Sequence, residues 1–202
     1  MDDHMAYNVA CAGAPHGEVE KIESTILLTD DFFDYDGKKV NVGDFLLFIV
    51  SGESMMLSGI HDKDIVFVPK NYSCGSESLP SVFVLKINHP IDGEAKYKIR
   101  RGWRIVKWQE LENEYEKILK SIMSMDKFKS IKDHEFYLGD EKIIDDFKKT
   151  RLPNYKKEYA LEEKGLILIS TTLLTDEKEI HFSIHPVDLI VGRISFSYSP
   201  SK

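Results

Sequence analysis

The sequence predicts a mainly β fold that is interrupted by a helical insertion. Short runs rich in valine, isoleucine, phenylalanine and tyrosine occupy residues 21–107 and return in residues 166–198. Residues 108–165 instead repeat their apolar side chains at helical spacing. With 202 residues, of which 42% are hydrophobic, the chain is long enough to bury a sizeable core. We therefore expect one β-rich core, with residues 108–165 as an excursion from it.

Residues 1–20 fit neither pattern. They include Cys-Ala-Gly-Ala-Pro-His-Gly at positions 11–17, which are small residues punctuated by glycine and proline without apolar periodicity. This composition is typical of an extended segment near a chain terminus. We predict a flexible N-terminal arm that can reach a site on the core.

The β region contains five runs of strand character before the insertion and three after it. Glycine, asparagine, aspartate and proline separate the runs, as in the turns of an antiparallel sheet. The predicted strands are 24–28, 45–50, 64–68, 82–87 and 95–99, followed by 166–171, 180–184 and 189–196. Their short lengths predict a compact, largely antiparallel core.

An amphipathic helix is predicted immediately after residue 107. Its apolar residues recur at alternating steps of four and three, with glutamate and lysine between them: Leu111, Tyr115, Ile118, Ile122 and Met125. A shorter helix is predicted at residues 140–149, with Pro153 marking the point by which it has ended. The apolar stripe can pack on the β core or on a partner, and most such stripes cover their own domain.

Charge and cysteine content argue against several classes of protein. The net charge of −7 and the pI near 5.5 are unsuited to holding nucleic acid on a broad basic surface, so we expect no sequence-specific DNA binding. No long apolar run suggests a membrane span. Cys11 and Cys74 form no CxxC pair, and no phosphate loop or zinc-type cluster occurs. We expect a cytoplasmic protein without a metal or cofactor.

The most informative segment is Val-Ser-Gly-Glu-Ser-Met-Met-Leu-Ser-Gly-Ile-His-Asp-Lys-Asp-Ile-Val-Phe-Val at positions 50–68. It places Ser54 just after an apolar strand. Gly52 lets the backbone turn tightly before this serine, and Gly59 lies in the return to the next apolar run. A hydroxyl on such a bend is anchored by the strand and can be presented at its end.

This segment resembles the nucleophile segment of the LexA, phage-repressor and UmuD peptidases. The shared features are a Gly-x-Ser-Met turn, then Gly-Ile, then Asp-x-Asp-Ile-Val-x-Val. That family activates its serine with a lysine on a later strand, and Asp-Gly-Glu-Ala-Lys-Tyr-Lys-Ile-Arg at positions 92–100 is similar to the lysine context. The resemblance implies a compact antiparallel LexA/UmuD-like peptidase core, with Ser54 as nucleophile and Lys98 as general base.

The chemistry explains why such a pair is needed. A serine hydroxyl is a poor nucleophile until a base removes its proton, and lysine can be that base only when it is neutral. Lys96 shares the strand face of Lys98 and is the rival base, because only the motif separates the two. Ser51 and Ser58 are the rival serines, but hydroxyls at bends more often satisfy turn backbone groups.

The resemblance also implies a target for the serine. Members of the family cleave themselves in an N-terminal arm between a small residue and glycine, and Ala-Gly-Ala-Pro at positions 12–15 resembles that site. The implied scissile bond joins Ala12 and Gly13. We expect backbone N–H groups near Ser54 and Met55 to form the oxyanion hole, with Gly52 supporting the turn.

Three features depart from the family pattern. Lys63 lies between two aspartates where the family commonly has glycine, the loop at 71–80 is longer than a tight connection needs, and the insertion is foreign to the family core. Only twelve residues precede the implied bond, so we expect no helix-turn-helix domain, which favours UmuD over LexA. By resemblance, a UmuD-like protein forms a homodimer, is stimulated to cut itself by RecA on single-stranded DNA, and serves a Y-family translesion polymerase in the SOS response.

Two alternatives stay open. A protein-interaction module could keep this fold without cleavage, and contact between Ser54 and Lys98 discriminates the two readings. A signal-peptidase-like protease shares the Ser-Lys logic but normally needs a membrane anchor. His181 and His185 have a metal-ligand spacing only on a helix, and their surroundings indicate a strand with ordinary histidines.

Overall fold

The computed structural model describes residues 8–11, 41–73, 79–88, 95–159, 165–174 and 179–199. Within them the protein is mainly antiparallel β with a helical insertion, as the sequence predicts. The strand predicted at 24–28, the Ala12–Gly13 bond and Cys74 lie outside the described residues.

Nine strands form one hydrogen-bonded network. Seven follow the order β7-β6-β5-β1-β2-β3-β9, and β4 pairs with β5 and with β8. Among the described strands, β1 is the exception to antiparallel pairing, since it runs parallel to both β2 and β5. The strands are β1 Asn8–Cys11, β2 Phe45–Ser51, β3 Ile65–Pro69, β4 Ser81–Asn88, β5 Ala95–Lys107, β6 Leu166–Leu174, β7 Glu179–Pro186, β8 Ile190–Arg193 and β9 Phe196–Tyr198.

Strand β5 is much longer than the predicted run at 95–99. Its first part pairs with β4 and β1, and from Arg101 onward it pairs with β6, with an irregularity in the register after Gly102. A Cβ atom at Gly102 would lie 2.7 Å from Leu168 Cδ1 and 2.8 Å from Phe83 Cε2, so this crossing point accepts only glycine without rearrangement. The basic residues in this stretch conceal its strand character.

The last predicted strand, at 189–196, is broken into two. β8 pairs with β4, and the chain then leaves that edge so that β9 pairs with β3. The backbone N–H of Ile194 donates to Val82 O at 2.9 Å, and that of Ser195 donates to Phe67 O at 2.9 Å. These adjacent bonds to different strands explain why one apolar run forms two short strands.

The insertion contains four helices, α1 Trp108–Met123, α2 Lys129–Lys132, α3 Asp140–Asp146 and α4 Leu152–Tyr159, with a π-helical turn at Phe147–Arg151. The expectation that Pro153 follows the helix end is wrong, because Pro153 is the second residue of α4. The helical backbone continues through the π-helical turn, where the Leu152 N–H donates to Phe147 O five residues earlier, so a wider turn directly precedes the proline. In the described part of the chain, no helix is both long and apolar enough to span a membrane.

The apolar stripe of α1 packs on the protein's own core, which confirms that alternative. Leu111, Ile118 and Ile122 are buried in one cluster with Trp103 of β5 and with the inward face of β6 and β7. Trp103 Nε1 donates a hydrogen bond of 2.8 Å to Thr171 Oγ1, so the largest side chain of this cluster is also satisfied as a donor. The insertion is therefore anchored to the sheet.

A polar contact ties the insertion to β7 as well. His181 Nδ1 lies 3.0 Å from Asp146 Oδ2, and Arg151 Nε donates to the same carboxylate oxygen at 3.2 Å. Burial alone would raise the pKa of Asp146, but the bonds to His181 and Arg151 outweigh it and hold that pKa below its usual value. Here His181 acts as a structural link, which agrees with its interpretation as an ordinary histidine.

Lys63 provides a test of the return turn. It adopts φ 67°, in the left-handed region that favours glycine, and its N–H donates to Val50 O at 2.8 Å. We expect Lys63→Gly to raise the free energy of unfolding by about 1 kcal/mol, because glycine has no Cβ penalty there. Urea unfolding of Lys63→Gly beside Lys70→Gly, an exposed turn lysine without positive φ, measures this. A loss of stability in both variants would contradict it.

Candidate functional site

The candidate site is built on the turn between β2 and β3. β2 ends at Ser51, and Gly52 then adopts φ 93°, which lets the chain turn away from the sheet. The Gly52 N–H donates to Asp62 Oδ1 at 2.8 Å, and the Val50 N–H donates to Asp64 O at 2.8 Å. The turn is therefore closed onto its own return segment, as the glycine and aspartate pattern of the sequence predicts.

Carboxylates fix the return segment in place. Asp64 is buried and accepts hydrogen bonds from the His61 N–H at 2.9 Å and from the Ser199 hydroxyl. Glu53 Oε2 lies 3.4 Å from His61 Nδ1 on the exposed side of the turn. Because a buried carboxylate needs such donors, the Asp-x-Asp spacing acts here as a structural clamp.

Ser54 lies inside this turn with its side chain enclosed. The residue is 3% exposed, and its Oγ has no hydrogen-bond partner among the residues that the structure describes. A buried hydroxyl without a partner is costly, and such groups are uncommon in folded proteins. Within the described residues, the Ser54 hydroxyl therefore has no structural hydrogen bond.

A cavity of about 20 Å³ adjoins Ser54. Thr172 Oγ1, a second buried hydroxyl without a partner, belongs to the same lining. The residues that line the cavity are Ser54, Met55, Leu57, Ser58, Arg101, Ile131, Thr171, Thr172, Leu173 and Ile180. The turn that holds Ser54, the sheet and the insertion all contribute to this small space.

The backbone around Ser54 has the groups that an oxyanion hole needs. The carbonyl of Met55 accepts from the Ser58 N–H at 2.8 Å and from the Ile60 N–H at 3.3 Å, which fixes the peptide planes of the turn. In the described part of the chain, the N–H groups of Ser54 and Met55 donate to no backbone carbonyl. They are therefore free to donate to a developing oxyanion.

Lys98 lies on the other candidate element, β5. It is half-buried and pairs across the sheet with Leu85, so its side chain shares the face of Leu85. Tyr97 and Ile99 pack in the cluster of Phe48 on the opposite face, as alternation predicts. Lys98 is not among the residues that line the Ser54 cavity, and Ser54 Oγ makes no hydrogen bond to it in this conformation.

Strand β1 lies between the strands that lead to the two candidate residues. Its last residue, Cys11, pairs in register with Ser51 of β2 and with Lys98 of β5. Since neighbouring strands are about 4.8 Å apart, the Cα atoms of Ser51 and Lys98 are separated by roughly 10 Å across β1. The sequence predicts only an extended arm here. The structure adds that Asn8–Cys11 pairs with β2 along its whole length and that Ala10 and Cys11 also pair with β5.

Arg101 is a site residue that the sequence did not single out. Its guanidinium lies 5.8 Å from the ring centre of Trp103, and its side chain lines the Ser54 cavity. Burial lowers the pKa of Arg101 from its usual value, although guanidinium groups remain cationic in proteins. A cation at this place favours negative charge on a neighbouring oxygen. The only sequence signal was the basic run that contains it.

A larger groove of about 290 Å³ also borders the turn that holds Ser54. Ser58 lines both this groove and the small cavity, so the turn borders both spaces. The groove is rich in hydroxyl groups and carries one guanidinium, from Ser58, Ile60, Ser81, Val82, Arg193, Ile194, Ser195, Phe196 and Ser197. Such a lining can accept an extended peptide through polar contacts.

His185 lies on β7 and is enclosed by the protein. Burial lowers the pKa of His185 well below 6.5, and the charges of Arg100 and Lys98 lower it further. Both ring nitrogens lack a hydrogen-bond partner, and the ring of Tyr155 lies 5.8 Å away, edge to face. The imidazole is therefore neutral in the folded protein near neutral pH.

A neutral buried His185 predicts acid sensitivity of the fold. Below pH about 6.5 the unfolded chain gains a proton at this residue and the folded protein does not, so stability falls as pH falls. We expect this residue to contribute a slope of up to about 1.4 kcal/mol per pH unit. Urea unfolding between pH 5 and pH 7.5 should show a shallower dependence in His185→Leu, whereas His61→Leu, at an exposed histidine, should match the parent. Equal slopes in the parent and His185→Leu would contradict this.

The site thus combines a buried serine on a glycine-containing turn, a cation in the adjoining cavity, and a strand that lies between β2, which leads to Ser54, and β5, which carries Lys98. These features suit acyl transfer by an activated hydroxyl. Lys96 and Lys98 both lie half-buried on the same strand face, and Lys98 is the one of the two that pairs with Cys11. No family model matches this chain, and no curated protein or solved structure is significantly similar to it.

Proposed function

We propose that this protein is a self-cleaving serine peptidase of the LexA/UmuD type, which cuts its own arm between Ala12 and Gly13. The observation that carries the proposal is the register of β1. Cys11, the residue before Ala12, is paired both with the strand that leads to Ser54 and with Lys98. The implied bond follows directly after this paired residue in the sequence.

In the proposed reaction, neutral Lys98 accepts the proton of Ser54 Oγ as this oxygen attacks the carbonyl carbon of Ala12. The N–H groups of Ser54 and Met55 donate to the resulting oxyanion. The C–N bond to Gly13 then breaks, and Lys98 returns its proton to the Gly13 nitrogen. Water hydrolyses the ester between Ser54 and the arm, again with Lys98 as the base.

Arg101 supports this reaction electrostatically in the proposal. Its guanidinium shares the cavity of Ser54, where low exposure to water strengthens its effect on charge. A fixed cation there favours the alkoxide of Ser54 and also disfavours the ammonium form of a lysine that approaches it. Both effects promote proton transfer from serine to lysine.

The described conformation corresponds, in this proposal, to a resting state. Ser54 Oγ has no hydrogen-bond partner, so cleavage requires a rearrangement that brings Lys98 to it. That step is where a stimulating partner would act, and the family resemblance proposes RecA on single-stranded DNA. A homodimer that then serves a Y-family polymerase in the cytoplasm completes the UmuD-like proposal.

A non-cleaving interaction module is the second candidate. The specific observation in its favour is the missing contact between Ser54 and Lys98 in this conformation. The two candidates differ in whether the protein cleaves itself under any condition, because an interaction module does not need a working pair of Ser54 and Lys98.

Mass spectrometry of the intact protein tests the proposed bond. Held at about pH 10, where a lysine near its reference pKa is partly neutral, the parent protein should lose residues 1–12. Gly13→Glu should slow this loss by about 10²-fold, since a bulky charged residue displaces the bond from its attack position. Gly17→Glu, farther along the arm, serves as the control. Unchanged cleavage of Gly13→Glu at the same bond would contradict the assigned site.

A further inference from the structure

We propose that Ile131, a residue of the helical insertion, is a specificity-determining residue. It limits the side chain on the amino-terminal side of the cleaved bond to the size of alanine. This inference rests on the proposed self-cleavage and adds a role for the insertion within it.

The first step is the position of Ile131. It lies in α2, is 2% exposed, and lines the cavity that adjoins Ser54. Among the described residues that line this cavity, Ile131 is the one that the insertion supplies. Other apolar residues of the lining are Leu57 of the turn that holds Ser54, Leu173 of β6 and Ile180 of β7.

The second step is why this cavity must receive that side chain. A productive attack places Ser54 Oγ about 3–3.5 Å from the carbonyl carbon of the residue before the cleaved bond. The Cβ of that residue is two covalent bonds from the same carbon, so it cannot lie far from Oγ. In the proposal, the hollow beside Ser54 is therefore the place that receives the Cβ and any further atoms, on the side where Leu57, Ile131 and Ile180 line it.

The third step is the size of the hollow. One water-sized group needs about 10–15 Å³ of such space, and the cavity provides about 20 Å³. This space is enough for about one methyl group, so in the proposal a larger side chain is disfavoured there. Alanine at position 12 meets this limit.

The fourth step is the stiffness of the wall. Ile131 belongs to the cluster that contains Phe128 and Phe182, whose rings stack with centroids 5.8 Å apart. The Asp133 N–H donates to Lys129 O at 3.0 Å, which closes the helical turn that carries Ile131. Because protein interiors resist compression, Ile131 cannot easily yield to a larger substrate side chain.

The experiment combines a larger side chain at position 12 with a smaller side chain at position 131. Cleavage of the full chain is followed by intact mass at about pH 10. We expect Ala12→Val to be cut about 10²-fold more slowly than the parent, and the double variant Ala12→Val with Ile131→Ala to recover to within about tenfold of the parent. Ile118→Ala, at a buried isoleucine of the same cluster that does not line the cavity, should give no recovery.

Ile131→Val guards against loss of folding in the alanine variant, and it should partly restore cleavage when combined with Ala12→Val. Circular dichroism checks that each protein is folded. The inference is overturned if the parent cuts its own arm but neither Ile131 variant speeds cleavage of Ala12→Val, or if Ile118→Ala does so equally. Absence of cleavage in the parent would instead overturn the proposed function, and this inference with it.

Discussion

Lys98→Ala is expected to slow self-cleavage by about 10²- to 10⁴-fold, the usual contribution of a positioned general base. Lys98 lies half-buried on β5, in register with the last residue of the β1 strand. The parent rate should rise with pH as the lysine deprotonates, and the variant should lack that rise. Time courses of intact mass between pH 7 and pH 11 measure both effects.

Lys96→Ala is the matched control for this prediction. Lys96 is also half-buried, occupies the same face of β5 and pairs with Ile87 of β4. It lies two residues before Lys98, the residue of β5 that pairs with Cys11. We expect its alanine variant to keep the parent rate within a few-fold. A large loss of cleavage rate in Lys96→Ala with little loss in Lys98→Ala would mean that Lys96 is the general base and Lys98 is not.

Ala10→Pro is expected to lower the cleavage rate by about 10²-fold through the position of the arm alone. Ala10 pairs with Val50 and Tyr97, so it lies between two strands. Proline has no N–H and is poorly tolerated within a sheet, which detaches the arm from both neighbours. Displacing a reacting bond by even 1 Å can cost a factor of about 10².

Intact mass of folded Ala10→Pro protein, with folding checked by circular dichroism, measures this effect. Asp3→Pro is the control, since Asp3 precedes strand β1. Cleavage of Ala10→Pro at the parent rate would contradict the role of β1 in presenting the bond. It would leave the serine and lysine assignments to be judged on their own variants.

Much of the fold follows from local patterns. The strands around Phe48 and Val66 were predictable because their apolar residues form compact runs between turn residues. The stripe of α1 was equally clear, since Leu111 and Ile118 recur at helical spacing and are buried. In contrast, the extension of β5 past Ile99 was hidden by basic residues, and the pairing of β1 on both sides was not predictable.

The candidate site divides in the same way. The turn that holds Ser54 depends on nearby residues, so Gly52 and the aspartates that close it were visible in the sequence. The cavity beside Ser54 depends on Arg101 and on Ile131, which come from distant parts of the chain. No local sequence pattern predicts that residues so distant in the chain lie side by side. An apolar residue of a helix has the same sequence context whether or not it lies beside the candidate serine.

The most direct test of the central claim compares the parent with Ser54→Ala by intact mass during several hours at about pH 10. The account predicts that the parent loses residues 1–12 and that Ser54→Ala keeps its full mass, while Ser58→Ala, at another serine of the same turn, behaves like the parent. Equal loss of this segment from the parent and Ser54→Ala would contradict the account, because the bond would then break without the proposed nucleophile.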